Sequence, residues 1–194
     1  MIGDFDAIVL AGGRGSRLGA PSKPGFVLGG RRLVDVALSA VTWARRIVLV
    51  GPGPAPEGVL LTREDPPFGG PVEAVAAGFA ALPDHAAWTV LLASDLPGAE
   101  AGVALLLTAD PELAGDDGVC LVDIDGRLQW LLGCYRTDAL AQRLANRGDP
   151  PLTAMYRLLE PLRLLGLETD ATITDDLDTP ADAARWAHRQ QEHS

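Results

Sequence analysis

The chain has 194 residues, of which 47% are hydrophobic and 22% are charged, and its formal net charge is −10. This length is typical of one domain, the apolar fraction is sufficient for a core and argues against disorder, and the acidic balance argues against broad nucleic-acid binding. Because the chain has neither an apolar run of about 18 residues nor a basic N-terminal signal, we expect a cytoplasmic protein without membrane partners.

The first half of the chain alternates short apolar runs with segments of helical periodicity. Three apolar runs predict buried strands, Asp6–Ala11, Arg46–Val50 and Trp88–Ser94, and Val59–Thr62 predicts a further short strand. Three other segments predict helices: Leu33–Ala44, Val72–Leu82 and Gly98–Thr108. Strands and helices that alternate in this way form right-handed βαβ units, so the pattern predicts a three-layer α/β/α sandwich around a parallel sheet.

The second half departs from this alternation at a hairpin. Two apolar runs, Gly118–Ile124 and Leu128–Tyr135, flank Asp125-Gly126, which is a strong signal for a two-residue turn. A hairpin inserted into a parallel sheet makes the sheet mixed. A two-residue turn here would leave Cys134 beyond the pairing and away from Cys120, so we expect no disulfide.

The rest of the chain returns to helices and one strand. The pattern predicts helices near Thr137–Asn146 and Leu152–Leu159, a strand near Leu162–Glu168 and a last helix that opens at Thr179. Thr179 would be the N-cap of that helix, with proline at its first position. Because no repeat or linker interrupts the chain, we expect residues 1–194 to form one domain.

The segment richest in chemistry, Leu10–Lys23, directly follows the first predicted strand. Its four glycines let the backbone approach a ligand closely and turn amide N–H groups inward. Arg14, Arg17 and Lys23 add positive charge to an otherwise acidic chain, and Lys23 is the only lysine. The segment fits neither a dinucleotide fingerprint nor a Walker A loop. At the carboxyl edge of an α/β sheet, it predicts a phosphate-binding loop.

Two further segments follow predicted strands and belong to the same edge. Asp95 comes directly after the strand Trp88–Ser94, and one carboxylate there suffices for Mg²⁺, which takes its other ligands from phosphates and water. An N-cap or turn aspartate is the alternative interpretation. The loop Arg63–Pro71 contains Asp65 and a glycine-proline turn before a helix, and it predicts the wall of a base or ribose pocket.

These segments together carry a family resemblance. Leu10–Lys23, Asp65 with Gly70-Pro71, and Asp95-Leu96-Pro97 resemble the nucleotidyltransferases that activate small phosphates with a nucleoside triphosphate. The pattern Leu-Ala-Gly-Gly…Arg…Gly…Lys is most similar to the molybdenum cofactor guanylyltransferases and other molybdopterin nucleotidyltransferases, and Asp176–Pro180 resembles their segment before the last helix. The resemblance covers nearly the whole chain. It implies a Rossmann-like, mostly parallel but mixed sheet of the nucleotide-diphospho-sugar-transferase type.

The resemblance also implies roles for individual residues. Residues 1–110 would bind the nucleotide, and residues 111–190, with the hairpin, would bind the acceptor. Gln129 and the segment Asp176–Thr179 would lie on the side of the pterin. Asp95 would bind Mg²⁺ and would be catalytic together with Arg17 and Lys23. The nucleotide-binding residues would be Leu10, Ala11, Gly12, Gly13, Arg14, Gly15, Lys23, Asp65 and Asp95.

The chain also departs from the family pattern. The family commonly has Gly-Pro-Leu-Ala-Gly where this chain has Gly70–Ala74, so Glu73 would bring bulk and charge near the nucleotide. Gly51-Pro52 lacks a polar side chain that some members direct at the nucleotide. Asp176 stands where guanylyl-transferring members often have asparagine, which favours cytidylyl transfer, whereas Gly12-Gly13 favours guanylyl transfer.

We therefore expect transfer of GMP from GTP to the terminal phosphate of molybdopterin, with Mg²⁺ and with release of pyrophosphate. Contact with cofactor-delivery or acceptor proteins would accompany this reaction. Three alternatives remain open: a CTP-dependent molybdopterin cytidylyltransferase, another small-phosphate nucleotidyltransferase such as one for sugar phosphates, and a non-catalytic nucleotide-binding module. A comparison of GTP with CTP separates the first, and release of pyrophosphate separates the last.

Overall fold

A computed structural model of the chain describes residues 2–12, 27–111, 115–148, 154–177 and 186. In this part of the chain, the strands are β1 Phe5–Leu10, β2 Val27–Leu28, β3 Arg31–Arg32, β4 Ile47–Val50, β5 Val59–Thr62, β6 Trp88–Ala93, β7 Gly118–Val122, β8 Leu128–Arg136 and β9 Leu164–Glu168. The helices are α1 Leu33–Ala40, α2 Pro71–Ala81, α3 Ala99–Thr108, α4 Thr137–Ala145, α5 Met155–Leu159 and α6 Ala171–Thr174.

The main sheet contains seven strands in the order β5-β4-β1-β6-β8-β7-β9, and β2 and β3 form a small antiparallel pair. β1 lies between β4 and β6 and is parallel to both, and β4 is parallel to β5. β8 runs antiparallel to its neighbours β6 and β7, whereas β7 and β9 are parallel. The predicted mixed α/β sheet is therefore confirmed.

Helices cover both faces of this sheet, because both faces of its central strand are apolar. Ala7 and Val9 of β1 lie in one core cluster with residues of α1 and α3. Ile8 and Leu10, the alternate residues, lie in a second cluster with residues of α2, α4 and α5. Alternate side chains of a strand point to opposite faces, so these two clusters establish the three layers.

The carboxyl ends of several strands meet at one edge of the sheet. Leu10 of β1 pairs with Val50 of β4 and with Ala93 of β6, and Val50 pairs with Thr62 of β5. β8 begins at the same edge, because its residue Leu132 pairs with Leu92 near the end of β6. The loops that leave these strands therefore lie side by side, where open α/β sheets bind their ligands.

The register of the hairpin differs from the prediction. Val122 pairs with Leu128, so the connection is the five-residue loop 123–127 and not the two residues Asp125-Gly126. Cys120 pairs with Gly133, and Cys134 lies within the pairing, opposite Val119. The physical reason is a bulge, in which residues 129–132 of β8 stand opposite the single residue 121. Both cysteines are free.

An ion pair between a buried carboxylate and an exposed arginine holds the opposite edge of the sheet together. Asp6 of β1 is fully buried, and its carboxylate accepts hydrogen bonds from the Arg45 guanidinium at 3.1 and 3.2 Å and from the Ala86 backbone N–H at 2.6 Å. Asp84 extends this cluster by bonding to Arg45 and Arg46, and the hydrogen bond from Arg46 lowers the pKa of the Asp84 carboxyl. The cluster joins β1 to the segments that precede β4 and β6.

Some predicted and observed elements differ in extent. α1 ends at Ala40 rather than Ala44, and the short elements α6, β2 and β3 are additional to the predicted set. The last helix predicted from Thr179 lies outside the described residues except for Trp186. Within the described ranges, no helix is both long and apolar enough to cross a lipid bilayer.

Candidate active site

Two adjoining cavities open at the carboxyl edge of the sheet. The β1 cavity, of about 390 Å³, is lined among the described residues by Leu10, Gly12, Glu64, Phe68, Gly70, Pro71, Ala74, Ala93, Ser94, Asp95 and Leu131. The hairpin cavity, of about 540 Å³, is lined by residues of the β7–β8 hairpin, of the loop after β6 and of the segment around α6. The two linings have three residues in common: Ala93, Asp95 and Leu131.

The backbone after β1 forms one wall of the β1 cavity. The Ala11 N–H donates to the Val50 carbonyl at 2.8 Å, so the backbone after β1 stays attached to β4 as far as Ala11. Gly51 lies against this wall, and a Cβ atom on Gly51 would stand 2.8 Å from the Ala11 carbonyl oxygen. A side chain there would displace the wall. The Gly51-Pro52 sequence therefore permits a close backbone approach, although it supplies no polar side chain.

The N-terminus of α2 forms the facing wall. Gly70 has φ +96°, which favours glycine, and Pro71 occupies the first helical turn, where a missing N–H has no cost. The Ala74 N–H donates to the Gly70 carbonyl at 3.1 Å and begins the helical hydrogen bonding. The remaining free N–H groups of this turn give the wall a partial positive charge, which suits an anionic or polar ligand.

Asp95 stands at the junction of the two cavities and is half-buried. Its neighbours Ser94 and Leu96 are both buried, and the Ser94 N–H donates to the Leu10 carbonyl at 3.0 Å. From the other side, the Leu177 N–H donates to the Asp95 carbonyl at 3.1 Å. The backbone at Asp95 is therefore held both by β1 and by the segment that follows α6.

The donor set at this junction fits a hard divalent cation that is shared with a ligand. Among the described residues, no group of three or more His, Cys, Asp or Glu side chains is placed to hold a metal ion. Asp95 provides one carboxylate that faces both cavities. Mg²⁺ commonly binds to one or two carboxylates and completes its shell with phosphate oxygens and waters, so a single aspartate would be sufficient if the ligand carries phosphate groups.

The loop after β5 brings Glu64, and not Asp65, into the β1 cavity. The Phe68 backbone N–H donates to Glu64 Oε1 at 3.0 Å, and the Arg63 guanidinium lies 5.3 Å from the centre of the Phe68 ring. Asp65 is exposed, is joined to Pro66 by a cis peptide bond, and lines a separate cleft beside α2. Its predicted nucleotide contact thus has no support from the position of its side chain.

Glu73 also lies in that separate cleft, outside the described lining of the β1 cavity. Its carboxylate accepts a hydrogen bond from Arg147 Nε at 2.9 Å, so its charge is paired. The sequence predicts that Glu73 brings charge near the nucleotide. The structure instead turns the Glu73 side chain away and leaves the small residue Ala74 in the cavity wall.

The hairpin cavity is shaped by the carboxylate of Asp123. Asp123 Oδ1 accepts the backbone N–H groups of Asp125 and Arg127, each at 2.9 Å, and Oδ2 accepts Gln129 Nε2 at 2.8 Å. These bonds close the five-residue loop and orient the Gln129 amide in the cavity wall. The Tyr135 hydroxyl donates to the Trp130 carbonyl at 2.8 Å and fixes the bulge that carries Gln129 and Trp130 to this edge.

The segment after α6 closes the far side of the hairpin cavity. Asp170 caps α6 by accepting the Thr172 N–H at 2.8 Å. Leu177 is fully buried against Leu33, and Trp186 packs on the same cluster. Because Leu177 is anchored, the adjacent Asp176 is held in the cavity lining.

The described lining of the hairpin cavity is strongly acidic. It contains five aspartates and one arginine: Asp95, Asp123, Asp125, Asp175, Asp176 and Arg127. Such a lining favours a ligand that presents hydrogen-bond donors to it and keeps its own negative charge at the Asp95 end.

The structure brings together only part of the predicted site. Leu10, Gly12 and Asp95 line the β1 cavity, and Gln129 and Asp176 line the hairpin cavity. Ala11 is buried behind the wall. The predicted residues Gly13, Arg14, Gly15, Arg17, Lys23, Asp178 and Thr179 lie outside the described residues.

Sequence reasoning missed three side chains of these cavities. Glu64 stands next to Asp65, and this pair of acids was the available signal, but the sequence does not show which of the two turns inward. Ser94 is buried in the β1 cavity wall directly after β6, whereas the prediction made it the last residue of that strand. Aspartate is a common turn residue, so the sequence alone gives Asp123 no specific role. The observed register shows that the Asp123 carboxylate accepts the backbone N–H groups of Asp125 and Arg127.

An open α/β sheet with a cavity beside the loop after β1 defines an α/β protein whose ligand site lies at the carboxyl edge of its sheet. The chain belongs to a particular family in this class, because a family model described as the MobA-like NTP transferase domain matches residues 7–165. It is thus a nucleotidyltransferase-type protein. A comparison with curated protein sequences finds no match.

Solved structures share this fold across nearly the whole chain. Molybdopterin-guanine dinucleotide biosynthesis protein A from Archaeoglobus fulgidus is 19% identical with a TM-score of 0.69, covering 96% of this chain and 99% of its own. Rv0371c from Mycobacterium tuberculosis is 20% identical with a TM-score of 0.71, covering 98% of both chains. A second Rv0371c structure is a complex with manganese. The 2-C-methyl-D-erythritol 4-phosphate cytidylyltransferase from Thermus thermophilus is 14% identical with a TM-score of 0.67, covering 97% of this chain and 99% of its own.

Proposed function

We propose that this protein transfers GMP from GTP to the terminal phosphate of molybdopterin and releases pyrophosphate. The observation that carries the proposal is the position of Asp95, which lies where the β1 cavity meets the hairpin cavity. A transferase needs its two substrates in adjoining sites with the reacting groups at the junction. We further propose that residues 1–194 act as one cytoplasmic domain, with residues 1–110 holding the nucleotide and residues 111–190 holding the acceptor.

The β1 cavity supports nucleotide binding because one part of its wall is apolar and another part offers hydrogen-bond donors. Leu10, Phe68 and Pro71 provide apolar surface for a base, whereas Gly12 and the N-terminus of α2 expose backbone N–H groups. The phosphates of GTP would extend from Gly12 into the following loop, where Arg17 and Lys23 supply positive charge.

The acidic hairpin cavity supports a pterin acceptor. The aminopyrimidinone ring of a pterin presents N–H and NH₂ groups as neighbouring donors, and aspartate carboxylates accept from such groups. Gln129 Nε2 is already used by Asp123, so the Gln129 carbonyl oxygen is oriented as a further acceptor. Trp130 and Leu131 add flat and apolar surface. The acceptor phosphate would then lie at the Asp95 end, next to the GTP phosphates.

The transfer forms a bond between an acceptor phosphate oxygen and the α-phosphorus of GTP and breaks the bond from that phosphorus to the oxygen that bridges to the β-phosphate. The acceptor phosphate is already anionic, so the protein needs no strong general base. Mg²⁺ on Asp95, when bound, would neutralise phosphate charge and polarise the α-phosphorus. Lys23 and Arg17 would stabilise the departing pyrophosphate, and the Gly12–Gly15 amides would hold the triphosphate for in-line attack. Binding of manganese by the related Rv0371c supports a divalent metal in this fold.

The test is release of pyrophosphate from GTP, CTP, ATP or UTP in the presence of Mg²⁺ and molybdopterin. We expect release with GTP only, dependent on molybdopterin and on the metal, together with a product heavier by one GMP unit. Thermal shifts with each nucleotide, measured without acceptor, report binding separately, since a ligand at a hundred times its Kd adds about 2.7 kcal/mol to the stability.

The same experiment separates the alternatives. Release from CTP alone would identify a cytidylyltransferase, which the fold shared with the Thermus thermophilus enzyme makes the second candidate. Release that requires a sugar phosphate in place of molybdopterin would move the acceptor to another class. Nucleotide-dependent thermal shifts without release of pyrophosphate from any acceptor would instead indicate a non-catalytic binding module.

A further inference from the structure

The first half of β8 is not a regular strand. In a regular strand, alternate side chains point to opposite faces, so every second residue faces a given cavity. Here the consecutive residues 129–132 all line the hairpin cavity. Trp130 and its neighbour Leu131 also pack against the same core cluster, the one that contains residues of α2, α4 and α5. The alternation of side chains is therefore interrupted where β8 reaches the cavity.

The cause of this interruption is the bulge in β8, which takes residues 129–131 out of the sheet pairing. The pairing of β8 with β6 ends at Leu132, and its pairing with β7 passes directly from Gly133 to Leu128. Residues 129–131 lie outside both registers. A backbone carbonyl that loses its ladder partner in a partly buried place needs another donor, because an unpaired carbonyl there destabilises the conformation.

Two buried side chains of the sheet supply such donors. The Tyr135 hydroxyl donates to the Trp130 carbonyl at 2.8 Å, and the Cys120 thiol donates to the Gln129 carbonyl at 3.1 Å. Both side chains are fully buried, and the hydroxyl oxygen lies 3.7 Å from the Cys120 Sγ atom. Burial raises the pKa of Tyr135 well above its ordinary value, so at neutral pH the hydroxyl stays protonated and remains a donor.

Gly133 provides the space that the Tyr135 ring needs. It lies two residues before Tyr135, on the same face of β8. A Cβ atom on Gly133 would stand 2.6 Å from the Tyr135 hydroxyl oxygen and 2.9 Å from the ring carbon that carries it. The ring therefore lies directly over Gly133, and this position brings its hydroxyl from residue 135 to the carbonyl of residue 130.

We propose that Tyr135 is a positioning residue for the acceptor, because its hydroxyl holds the bulge that presents Gln129 and Trp130 to the hairpin cavity. Tyr135 is not part of the described lining of that cavity, so it acts through these two residues. Bulges beside active sites commonly redirect side chains in this way. The inference rests on the proposed function in that the hairpin cavity must hold the acceptor.

The test is Tyr135→Phe, which removes the hydroxyl and keeps the ring over Gly133. The Trp130 carbonyl must then turn to water, so the acceptor side of the site loosens, while the bonds that hold the backbone at Asp95 remain. In the pyrophosphate-release assay, we expect the KM for molybdopterin to rise on the order of tenfold, whereas kcat and the KM for GTP should change by less than about threefold.

Hydrogen exchange gives a second readout that needs no substrate. In Tyr135→Phe, the amide N–H groups of residues 128–132 should exchange at least about tenfold faster than in the wild-type protein. These rates are compared with those of the β1 amides, which report global unfolding. A change confined to residues 128–132 shows that the bulge itself has loosened.

The chain offers matched controls for this variant. Tyr156 is the other tyrosine of the chain; it is exposed, contacts Arg157 and is not part of the described cavity linings. Tyr156→Phe should leave both KM values unchanged. Asp6→Asn, which is expected to lose stability at the opposite edge of the sheet, should also leave them unchanged, so it separates lost stability from a displaced bulge.

Gly133→Ala attacks the same contact from the other side. The added methyl group would displace the Tyr135 ring and its hydroxyl. The KM for molybdopterin should therefore rise at least as much as in Tyr135→Phe, with the KM for GTP again nearly constant. If Gly133→Ala does not fold, Tyr135→Phe alone decides the outcome.

A folded Tyr135→Phe protein with the wild-type KM for molybdopterin would overturn the positioning role and leave the proposed function intact. Equal rises in the KM for molybdopterin and for GTP, or the same rise in Asp6→Asn, would also overturn it. Release from CTP instead of GTP would overturn the proposed nucleotide alone, and a selective rise in the KM for molybdopterin would still support the inference. Absence of release from any nucleotide by the wild-type protein with molybdopterin would overturn both.

Discussion

Asp95 is the residue on which the proposed chemistry depends most. Its carboxylate lies where both cavities meet, so replacement by asparagine removes charge from the proposed metal ligand without changing the size of the side chain. We expect Asp95→Asn to lower turnover by at least about 100-fold, or about 2.7 kcal/mol on the activation barrier. The same loss is expected for Lys23→Ala on the basis of the sequence. Steady-state release of pyrophosphate checks both variants.

The matched control for Asp95→Asn is Asp138→Asn. Asp138 is an exposed aspartate in the first turn of α4 and belongs to neither cavity lining. Its replacement should leave turnover unchanged. Wild-type turnover in the Asp95→Asn variant would contradict the site assignment.

Asp6 contributes to stability rather than to chemistry. It is buried at the edge opposite the cavities and accepts hydrogen bonds from Arg45 and from the Ala86 N–H. Asp6→Asn keeps one acceptor but loses the charge-assisted bonds, so we expect the free energy of unfolding to fall by about 1–3 kcal/mol. Urea denaturation with an unchanged m-value measures this loss.

The thermal shift caused by GTP should be the same in Asp6→Asn as in the wild-type protein, because the substitution is remote from the β1 cavity. Asp84→Asn, which affects an exposed partner of Arg45 and Arg46, should destabilise much less. An Asp6→Asn variant that is as stable as the wild type would show that the ion pair contributes nothing net.

Residue types were easier to predict than the directions of side chains. Asp95 was identified because a carboxylate directly after a buried parallel strand lies at the carboxyl edge of the sheet, where ligands bind. Glu64 and Asp65 are neighbours, and which of them faces the cavity depends on the turn made by the loop. Glu73 turns away because Arg147, which lies 74 residues later in the chain, donates a hydrogen bond to the Glu73 carboxylate and pairs its charge. No local pattern contains that information.

At the scale of elements, the turn after β4 controls the wall of the β1 cavity. A methyl group on Gly51 would stand 2.8 Å from the Ala11 carbonyl oxygen and would push the backbone at Gly12. We expect Gly51→Ala to raise the Kd for GTP on the order of tenfold, or about 1.4 kcal/mol. Calorimetric titration with GTP measures the change.

Gly53→Ala is the appropriate control for the glycine turn. Gly53 also has a positive φ, of +106°, so alanine is strained there as well, but a Cβ at Gly53 has open space around it. This variant should lose stability while it retains the wild-type Kd. Equal loss of GTP affinity in both variants would attribute the effect to backbone strain rather than to contact with Ala11.

The hairpin shows why an element can be located from sequence while its register is not. Asp125-Gly126 does lie in the loop, as its turn propensity predicts. The side chain of Asp123 accepts two backbone N–H groups and so closes a longer loop. The Tyr135 hydroxyl stabilises the bulge in β8. These are side-chain contacts, and they override the preference of the turn dipeptide.

Strands were predicted more closely than short helices. β5 has the predicted bounds, Val59–Thr62, because a short run of strand-forming residues pairs with β4 along its whole length. It is an edge strand, and Leu60 and Leu61 are exposed. α6 has four residues and depends on its cap, Asp170, and on the packing of Leu177 in the core. Such a helix has no stable periodicity of its own to detect.

At the scale of the whole molecule, the two cysteines report on global opening. Cys134 is opposite Val119 in the sheet, so it faces the same side as Val119, while Cys120 faces the other side. Both are fully buried. Burial raises the pKa of the Cys120 thiol to about 12 and also raises that of Cys134. Neither thiol is ionised at neutral pH in the folded chain.

We therefore expect the native protein at pH 8 to resist iodoacetamide, whereas the protein unfolded in guanidinium should be alkylated at both cysteines. Mass spectrometry counts the added groups. The two sites should react at the same slow rate under native conditions, since both require opening of the sheet. Faster modification of Cys120 alone would show that the hairpin opens independently of the rest.

The architecture as a whole was predictable because alternation of strands and helices restricts the possible topologies. The layering and the edge that carries the cavities follow from that alternation. The link between Leu177 and Asp95 does not, because it joins the segment after the last described strand to the middle of the sheet. That link makes the segment that contains Leu177 part of the candidate active site.

The antiparallel strand β8 also determines the order in which the sheet can be completed during synthesis. β1, β4, β5 and β6 are contiguous in the sheet and precede residue 94, so they can pair as soon as they leave the ribosome. β7 is made before β8 but lies beyond it, so β7 cannot join the sheet until β8 has paired with β6. Until then, the nascent chain exposes an apolar edge that invites association with other chains. When β7 pairs with β8 early, through the loop that Asp123 closes, β7 covers one edge of β8. The hairpin can then join β6 as a unit, which shortens the time for which the apolar edge is exposed.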